Sequence, residues 1–317
     1  MKKHIAHLLL LTAVTLCFAL PARAWDDVGH KIAAYIAWQQ MTPAVRERVI
    51  KILLAAPEDA QLSTFYVQSG GRSDETLKRE FFMLAATWPD IVRERSFANR
   101  YKKYHHSNWH YSDTFWRMND GKFELLKDAD ENGKAADEYG DMVKTLRSDA
   151  SDAQKALAIA WIEHLVGDIH QPLHASGRVT ELEPKGDQGG NLFLLTPKGT
   201  PRDQQENLHW FWDSIVVRQI PRKDACDADY VDVEARKIIK RYPFAKMQSK
   251  LDAGNFEDWK KESLDFAVKD VYSPDLKRFE TPTPAYKKKA YQVAQERLAL
   301  AGYRMGQLFN DIFGAKK

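Results

Sequence analysis

Cysteine is scarce, with two residues in a chain of 317. The first, Cys17, sits in a leader that reads as a signal peptide: a basic start (Lys2, Lys3), an apolar run from Ile5 to Leu20, and Ala22-Arg23-Ala24 in the small-x-small pattern of a processing site. Residues 1–24 are therefore expected to leave on export, with the mature chain starting at Trp25 and residing in the periplasm or the medium. Cys226 is then the only thiol, which excludes an intramolecular disulfide. An exported chain without disulfides must be held by its core or by metals. Long apolar runs are missing too: the leader's run falls short of the roughly 20 residues needed to span a bilayer, and no later segment is apolar enough. No membrane anchor is expected. Charge of one sign is also lacking, because removing Lys2, Lys3 and Arg23 leaves 44 basic against 44 acidic residues. That balance argues against a stable duplex-DNA binder working by phosphate neutralisation. There is no Pro/Gly/Ser-rich linker and no repeat, so residues 25–317 are expected to form one domain.

Strand signals are few, chiefly Leu192 to Thr196, read as one arm of a small hairpin before Asn207. Helix signals dominate. Thr42-Pro43 and Thr283-Pro284 each set a capping threonine before a proline at the first helical position. The first leads into Val45, Val49 and Ile52, the second into a long helix through Tyr291, Leu298, Met305 and Phe309. Ser73 opens a helix with Leu77, Phe81 and Leu84 on one face, and Asn255 caps another carrying Phe256, Trp259 and Phe266. The fold class is all-α, a single-domain multi-helix bundle with a small β-hairpin. Charge runs at Lys287 to Lys289 and Asp128 to Glu131 read as solvated surface.

The most informative stretch is LAIAWIEHLVGDIHQPLH, Leu157 to His174. Its apolar residues recur at helical spacing up to a stop at Pro172, so its polar residues need a reason. His164 and Asp168 are four apart and share one helix face, where both can reach one ion. A lone histidine on an apolar helix is more often a hydrogen-bonded core residue. Asp168, however, is a residue type rarely buried without a partner, and the same spacing returns at His209 and Asp213 in NLHWFWD. Imidazole and carboxylate without thiolate suit zinc. Further candidates are His30 in WDDVGH, close to the free α-amine that Trp25 would carry; Asp90 and Arg93 in WPDIVR; His110 in SNWHYSD, read as a short extended piece; and His174 just past Pro172. His105 and His106 read as surface residues, and His170, off the face of His164 and Asp168, as a supporting or packing residue.

Taken in order, WDDVGH, WPD with Arg93, HYSD, HLVGDIHQPLH, GDQGGN, NLHWFWD, WKKES at Trp259 and ALAGYRMGQLFN resemble the secreted zinc-dependent single-strand nucleases of fungi and plants. That family shares its fold with bacterial zinc phospholipase C. The resemblance runs nearly end to end of the mature chain. It implies three zinc ions: one held by Asp90, His110, His164 and Asp168; a second by the amine and carbonyl of Trp25, His30 and Asp168, whose carboxylate bridges the pair; a third by His174, His209 and Asp213. Arg93, with Asp90 and Asp168, would carry the catalysis, and Tyr111, Asp113, Gly189, Gly190 and Asn191 would bind a base. The chain departs from its relatives at Trp116, where some carry a basic residue near the nucleotide, and in lacking the disulfides of the eukaryotic members. Three carboxylates facing about six positive charges leave such a site positive, which attracts phosphate, and water activated there can attack phosphorus in line.

The function expected is hydrolysis of single-stranded RNA and DNA to 5′-phosphorylated products, with activity on 3′-nucleotides, by a monomer. The enzyme alternative is a phospholipase C on the same cluster. The non-enzyme alternative, a zinc-binding helical protein, is disfavoured by the absence of a His-rich tract.

Overall fold

Side-chain caps begin the helices where serine, threonine and asparagine foretold them. In the computed structural model, which describes residues 25–68, 71–126, 132–220, 227–251 and 255–315, Thr42 accepts from the Val45 amide, Ser73 from Thr76, Asn255 from Asp258 and Thr283 from Tyr286. The helices are α1 (Asp27–Gln40), α2 (Pro43–Leu54), α3 (Asp74–Ala85), α4 (Trp88–Ile91), α5 (Ala98–Tyr104), α6 (Ala135–Arg147), α7 (Asp152–Ile169), α8 (Leu208–Asp213), α9 (Asp227–Arg241), α10 (Phe244–Leu251), α11 (Phe256–Phe266) and α12 (Pro284–Phe313). None of them is long and apolar enough to cross a membrane. The leader, Cys226 and the acidic run at Asp128 to Glu131 lie outside the described residues.

Helix α7 starts with a reciprocal cap between Ser151 and Gln154 and is buried without interruption from Ala158 to Ile169. A helix buried all round is the core of its domain. Helices α1, α2, α6, α11 and α12 pack on it. Helix α1 also runs along α12, where Gly302 and Gly306 remove the side chains that would otherwise meet it. A Cβ on Gly302 would lie 2.5 Å from Ile36 Cβ, and one on Gly306 would lie 2.7 Å from Gln40 Cβ. The AGYRMG run is thus a close-packing stripe.

The hairpin is not where the strand signal at Leu192 put it. That segment makes a single antiparallel bridge, Leu194 to Asn207. The ladder lies earlier, between β1 (Ser112–Asn119) and β2 (Lys122–Leu125), with Asn119 opposite Lys122. Its two-residue turn is Asp120-Gly121, both at positive φ, a conformation for which the Asp-Gly pair is a standard signal. Short strands β3 (Asn132–Gly133) and β4 (Ser176–Arg178) join β1, antiparallel and parallel respectively. The fold remains helical with a small sheet.

Candidate metal centre

Six short pieces of chain meet at the C-terminal end of α7. Helix α1 brings His30, α4 brings Asp90, the turn before β1 brings His110, and α7 brings His164 and Asp168. A 3₁₀ turn at Pro172–Ala175 brings His174, and α8 brings His209 and Asp213. His110 is not extended, as its sequence suggested; it closes a 3₁₀ turn, Ser107–Trp109, at helical φ and ψ. These side chains fall into three groups whose ligating atoms lie within 4.8 Å of one another: His30, His164 and Asp168; Asp90, His110 and His164; His174, His209 and Asp213.

Asp168 divides its two oxygens. Oδ1 is 3.3 Å from His30 Nε2, while Oδ2 is 3.3 Å from His164 Nε2 and 3.4 Å from His110 Nδ1. Asp90 Oδ1 closes the same group at 3.8 Å from His164 and 4.0 Å from His110. In the third group Asp213 lies 3.4 Å from His209 Nε2 and 3.9 Å from His174 Nε2.

The tautomers follow from the backbone. His164 Nδ1 faces the Ala86 carbonyl at 2.9 Å, His174 Nδ1 the His110 carbonyl at 2.6 Å, and His209 Nδ1 the Gly189 carbonyl at 2.7 Å. A carbonyl only accepts, so each Nδ1 carries the proton and each Nε2 presents a lone pair to the centre. His110 Nδ1 is 2.9 Å from the bare His164 Nε2, so a proton or a cation has to sit between them. Gln171, unmarked by the sequence, donates to Asp213 Oδ1 at 2.6 Å and accepts from the Leu173 amide.

Burial sets the electrostatics. It lowers His30 to about 4 and holds His110, His164 and His174 well below the usual imidazole value; it raises Asp168 and Asp213 well above the usual carboxylate value. Neutral imidazoles are the ligating form. Both oxygens of Asp168, Asp213 Oδ2, both His30 nitrogens and His174 Nε2 are buried without a hydrogen-bond partner. Such a set of unsatisfied donors and acceptors is costly in a core unless a cation satisfies it. The residues present fit zinc.

The sequence model of the S1/P1 Nuclease family matches residues 25–314. The chain belongs to the S1/P1 nuclease family. Among its relatives, Nuclease S1 of Aspergillus oryzae is 23% identical over 314 residues, covering 94% of this chain and 95% of that protein. Endonuclease 3 of Arabidopsis thaliana is 25% identical over 318 residues, covering 93% and 91%, and endonuclease 2 of the same plant is 24% identical over 335 residues, covering 99% of each. As an S1/P1 nuclease the chain is a hydrolase of phosphodiester bonds, in a family that is zinc-dependent in general.

In this S1/P1 nuclease a cleft of about 900 Å³ is lined by His110, His174 and His209 of two of the groups and by Arg93. Arg93 Nε pairs with Asp90 Oδ1 at 3.1 Å. Tyr111, Asp113, Gly189 and Asn191 line the same cleft. Gly190 instead backs onto Leu208, Leu173 and Tyr272. Asp113 accepts from Asn132 Nδ2 at 3.2 Å, and burial raises it to about 7. Gly189 also supports His209, since at φ 59° its carbonyl accepts from that ring, and a Cβ there would lie 2.6 Å from the Leu173 carbonyl. Asn132, Gln188, Arg95, Tyr101, His105, Ser107 and Arg202 line the cleft as well, and no sequence motif marks them. His105 and His106, read as surface residues, are half-buried: His105 stacks on Tyr101 at 4.7 Å and His106 on Trp109 at 3.7 Å. Trp116 lies away from the cleft, buried, donating to Ser176 Oγ at 2.8 Å. His170 points off the centre; its Nδ1 donates to the Val166 carbonyl and its Nε2 accepts from Arg304. Trp25 is buried over Gly29, and the Asp26 amide donates to the Asp213 carbonyl at 3.0 Å, which seats the start of the described chain against the end of α8.

Proposed function

We propose that the mature chain, residues 25–317 after loss of a signal peptide at 1–24, is an exported zinc phosphodiesterase. It hydrolyses single-stranded RNA and DNA to 5′-phosphorylated products and removes phosphate from 3′-nucleotides. The observation that carries the reading is Asp168, one carboxylate placed between two sets of histidines, with a further His/His/Asp group opening on the same cleft. Asp90, His110, His164 and Asp168 would hold one zinc; Trp25 through its free amine and carbonyl, His30 and Asp168 a second; His174, His209 and Asp213 a third. When bound, the ions supply Lewis-acid activation of water and neutralise charge on the phosphate.

The chain's own groups do the rest. Arg93, tethered to Asp90, directs a fixed positive charge into the cleft, where it holds the non-bridging oxygens. Backbone carbonyls fix the rings of His164, His174 and His209 through the nitrogen facing away from the centre, so the ligand geometry is set before substrate arrives. Tyr111 offers a ring face, and Asp113, Asn132 and Asn191 offer polar atoms to a base edge. Such a pocket suits an unstacked base and not one held inside a duplex. In the reaction the oxygen of water bonds to phosphorus and the bond from phosphorus to the 3′-oxygen breaks. The products are a 3′-hydroxyl and a 5′-phosphate.

The test sets substrates side by side. Mature protein starting at Trp25 is expected to cut single-stranded DNA and RNA, leaving 5′-phosphate ends, and to release nothing from phosphatidylcholine. Hydrolysis of the lipid without cleavage of nucleic acid would overturn the reading. Retaining a methionine before Trp25 turns the amine into an amide, which is expected to remove the zinc shared with His30 and most turnover.

A further inference from the structure

The cleft has a second aromatic wall. Tyr101 and His105 lie four apart at the end of α5 and stack on each other, ring centroids 4.7 Å apart and planes within 22°. The guanidinium carbon of Arg95, an exposed residue, sits 5.5 Å from the centroid of the Tyr101 ring. All three residues line the cleft beside Arg93 and His110. No carboxylate among the described residues pairs with Arg95, and His105 Nδ1 is buried without a hydrogen-bond partner. Tyr111 and Asp113 line the same cleft.

We propose that Arg95, Tyr101 and His105 form a stacking subsite for a second nucleotide of the bound strand. The inference rests on the nuclease reading above. With one base at Tyr111 and Asp113, a neighbouring nucleotide of the same strand meets this wall of the cleft. An aromatic stack beside a cation that no carboxylate holds suits a base and its phosphate, whatever the base, because every base has a π-face and every link a negative charge. The subsite is used only by substrates longer than one nucleotide, so it favours strand cleavage over removal of phosphate from a 3′-mononucleotide.

The experiment compares zinc-loaded wild type with Tyr101→Ala, Tyr101→Phe and Arg95→Gln on two substrates: a single-stranded oligothymidylate and bis(p-nitrophenyl) phosphate, which has no base. Tyr101→Ala is expected to lower kcat/KM on the oligonucleotide by about ten- to a hundredfold, the usual range for losing one base stack. Tyr101→Phe should stay near wild type, Arg95→Gln should fall between and flatten the salt dependence, and the small diester should be cut as before by all three. Because Arg95 is exposed, its variant tests the subsite even if Tyr101→Ala folds poorly. Unchanged oligonucleotide cleavage in both Tyr101→Ala and Arg95→Gln overturns the proposal, as does an equal loss on both substrates with zinc retained. A wild type that cuts the small diester and not the oligonucleotide would instead refute the nuclease reading on which the subsite depends.

Discussion

His164, His174 and Asp213 are oriented by other residues, and those holders are the least legible part of the chain. The His-x-x-x-Asp spacing at His164 and His209 can be read from helical periodicity alone. The acceptors that fix the rings cannot: Ala86 is 78 residues from His164, and the His110 carbonyl is 64 residues from His174. Backbone groups carry no residue signature, so only the fold brings them into view. Gln171 is hidden for a similar reason, since nothing in HQPLH says that its amide turns back to Asp213. Replacing Gln171 with alanine removes that 2.6 Å hydrogen bond and leaves His174, His209 and Asp213 in place. Affinity for one zinc should fall about ten- to a hundredfold, the usual cost of losing a partner of a metal ligand. Competition with a graded chelator measures it, and three unchanged affinities would show that Gln171 serves only the Leu173 turn.

At the scale of elements, capping residues and apolar periodicity locate α2, α3, α7, α11 and α12, because those signals are local. The sheet is harder to place: the apolar run at Leu192 outweighs the Asp120-Gly121 turn as a strand signal, and β4 pairs with β1 across more than fifty residues of chain. The crossing of α1 over α7 is equally hidden. It depends on Gly167, where a Cβ would lie 2.7 Å from His30 Nδ1 in a ring already stacked on His164 at 4.0 Å. Gly167→Ala is expected to displace His30, release the zinc it shares with Asp168, and cost about 1–3 kcal/mol from overpacking. Gly140 on α6 meets nothing within 4 Å of a Cβ, so Gly140→Ala should keep all zinc and gain up to about 1 kcal/mol. Thermal melts and metal analysis of the two variants check the contrast. Full zinc and an unchanged melt in Gly167→Ala would contradict the close approach.

At the scale of the whole molecule, a core that encloses so many titratable groups should depend on pH and on metal together. His30 falls from 6.5 to about 4 on folding, so the stability it allows is present above pH 6.5 and lost as pH drops towards 4. Asp26 and Asp113 rise from 3.8 to about 7, and Asp168 and Asp213 are raised well above 3.8, so their stability is present below pH 4 and lost as pH climbs through 7. Between pH 4 and 6.5 the two trends oppose. Above 6.5 only the carboxylates titrate, each costing up to about 1.4 kcal/mol per pH unit until its raised pKa is passed, which for Asp26 and Asp113 is near 7. Chelated protein should therefore lose stability from pH 6.5 to 8, while zinc, binding the ionised ligands, removes that cost. The gap in Tm between the loaded and chelated forms should widen with pH, and a gap independent of pH would contradict it.

The central claim is that three groups of histidine and aspartate, joined through Asp168 and completed by the amine of Trp25, hold a zinc cluster. Metal analysis of mature protein starting at Trp25, dialysed against zinc and then freed of excess, tests it most directly. About three zinc ions per chain, falling on substitution of Asp168 by more than one ion, is the expected result. One ion or fewer in the wild-type chain would contradict the cluster.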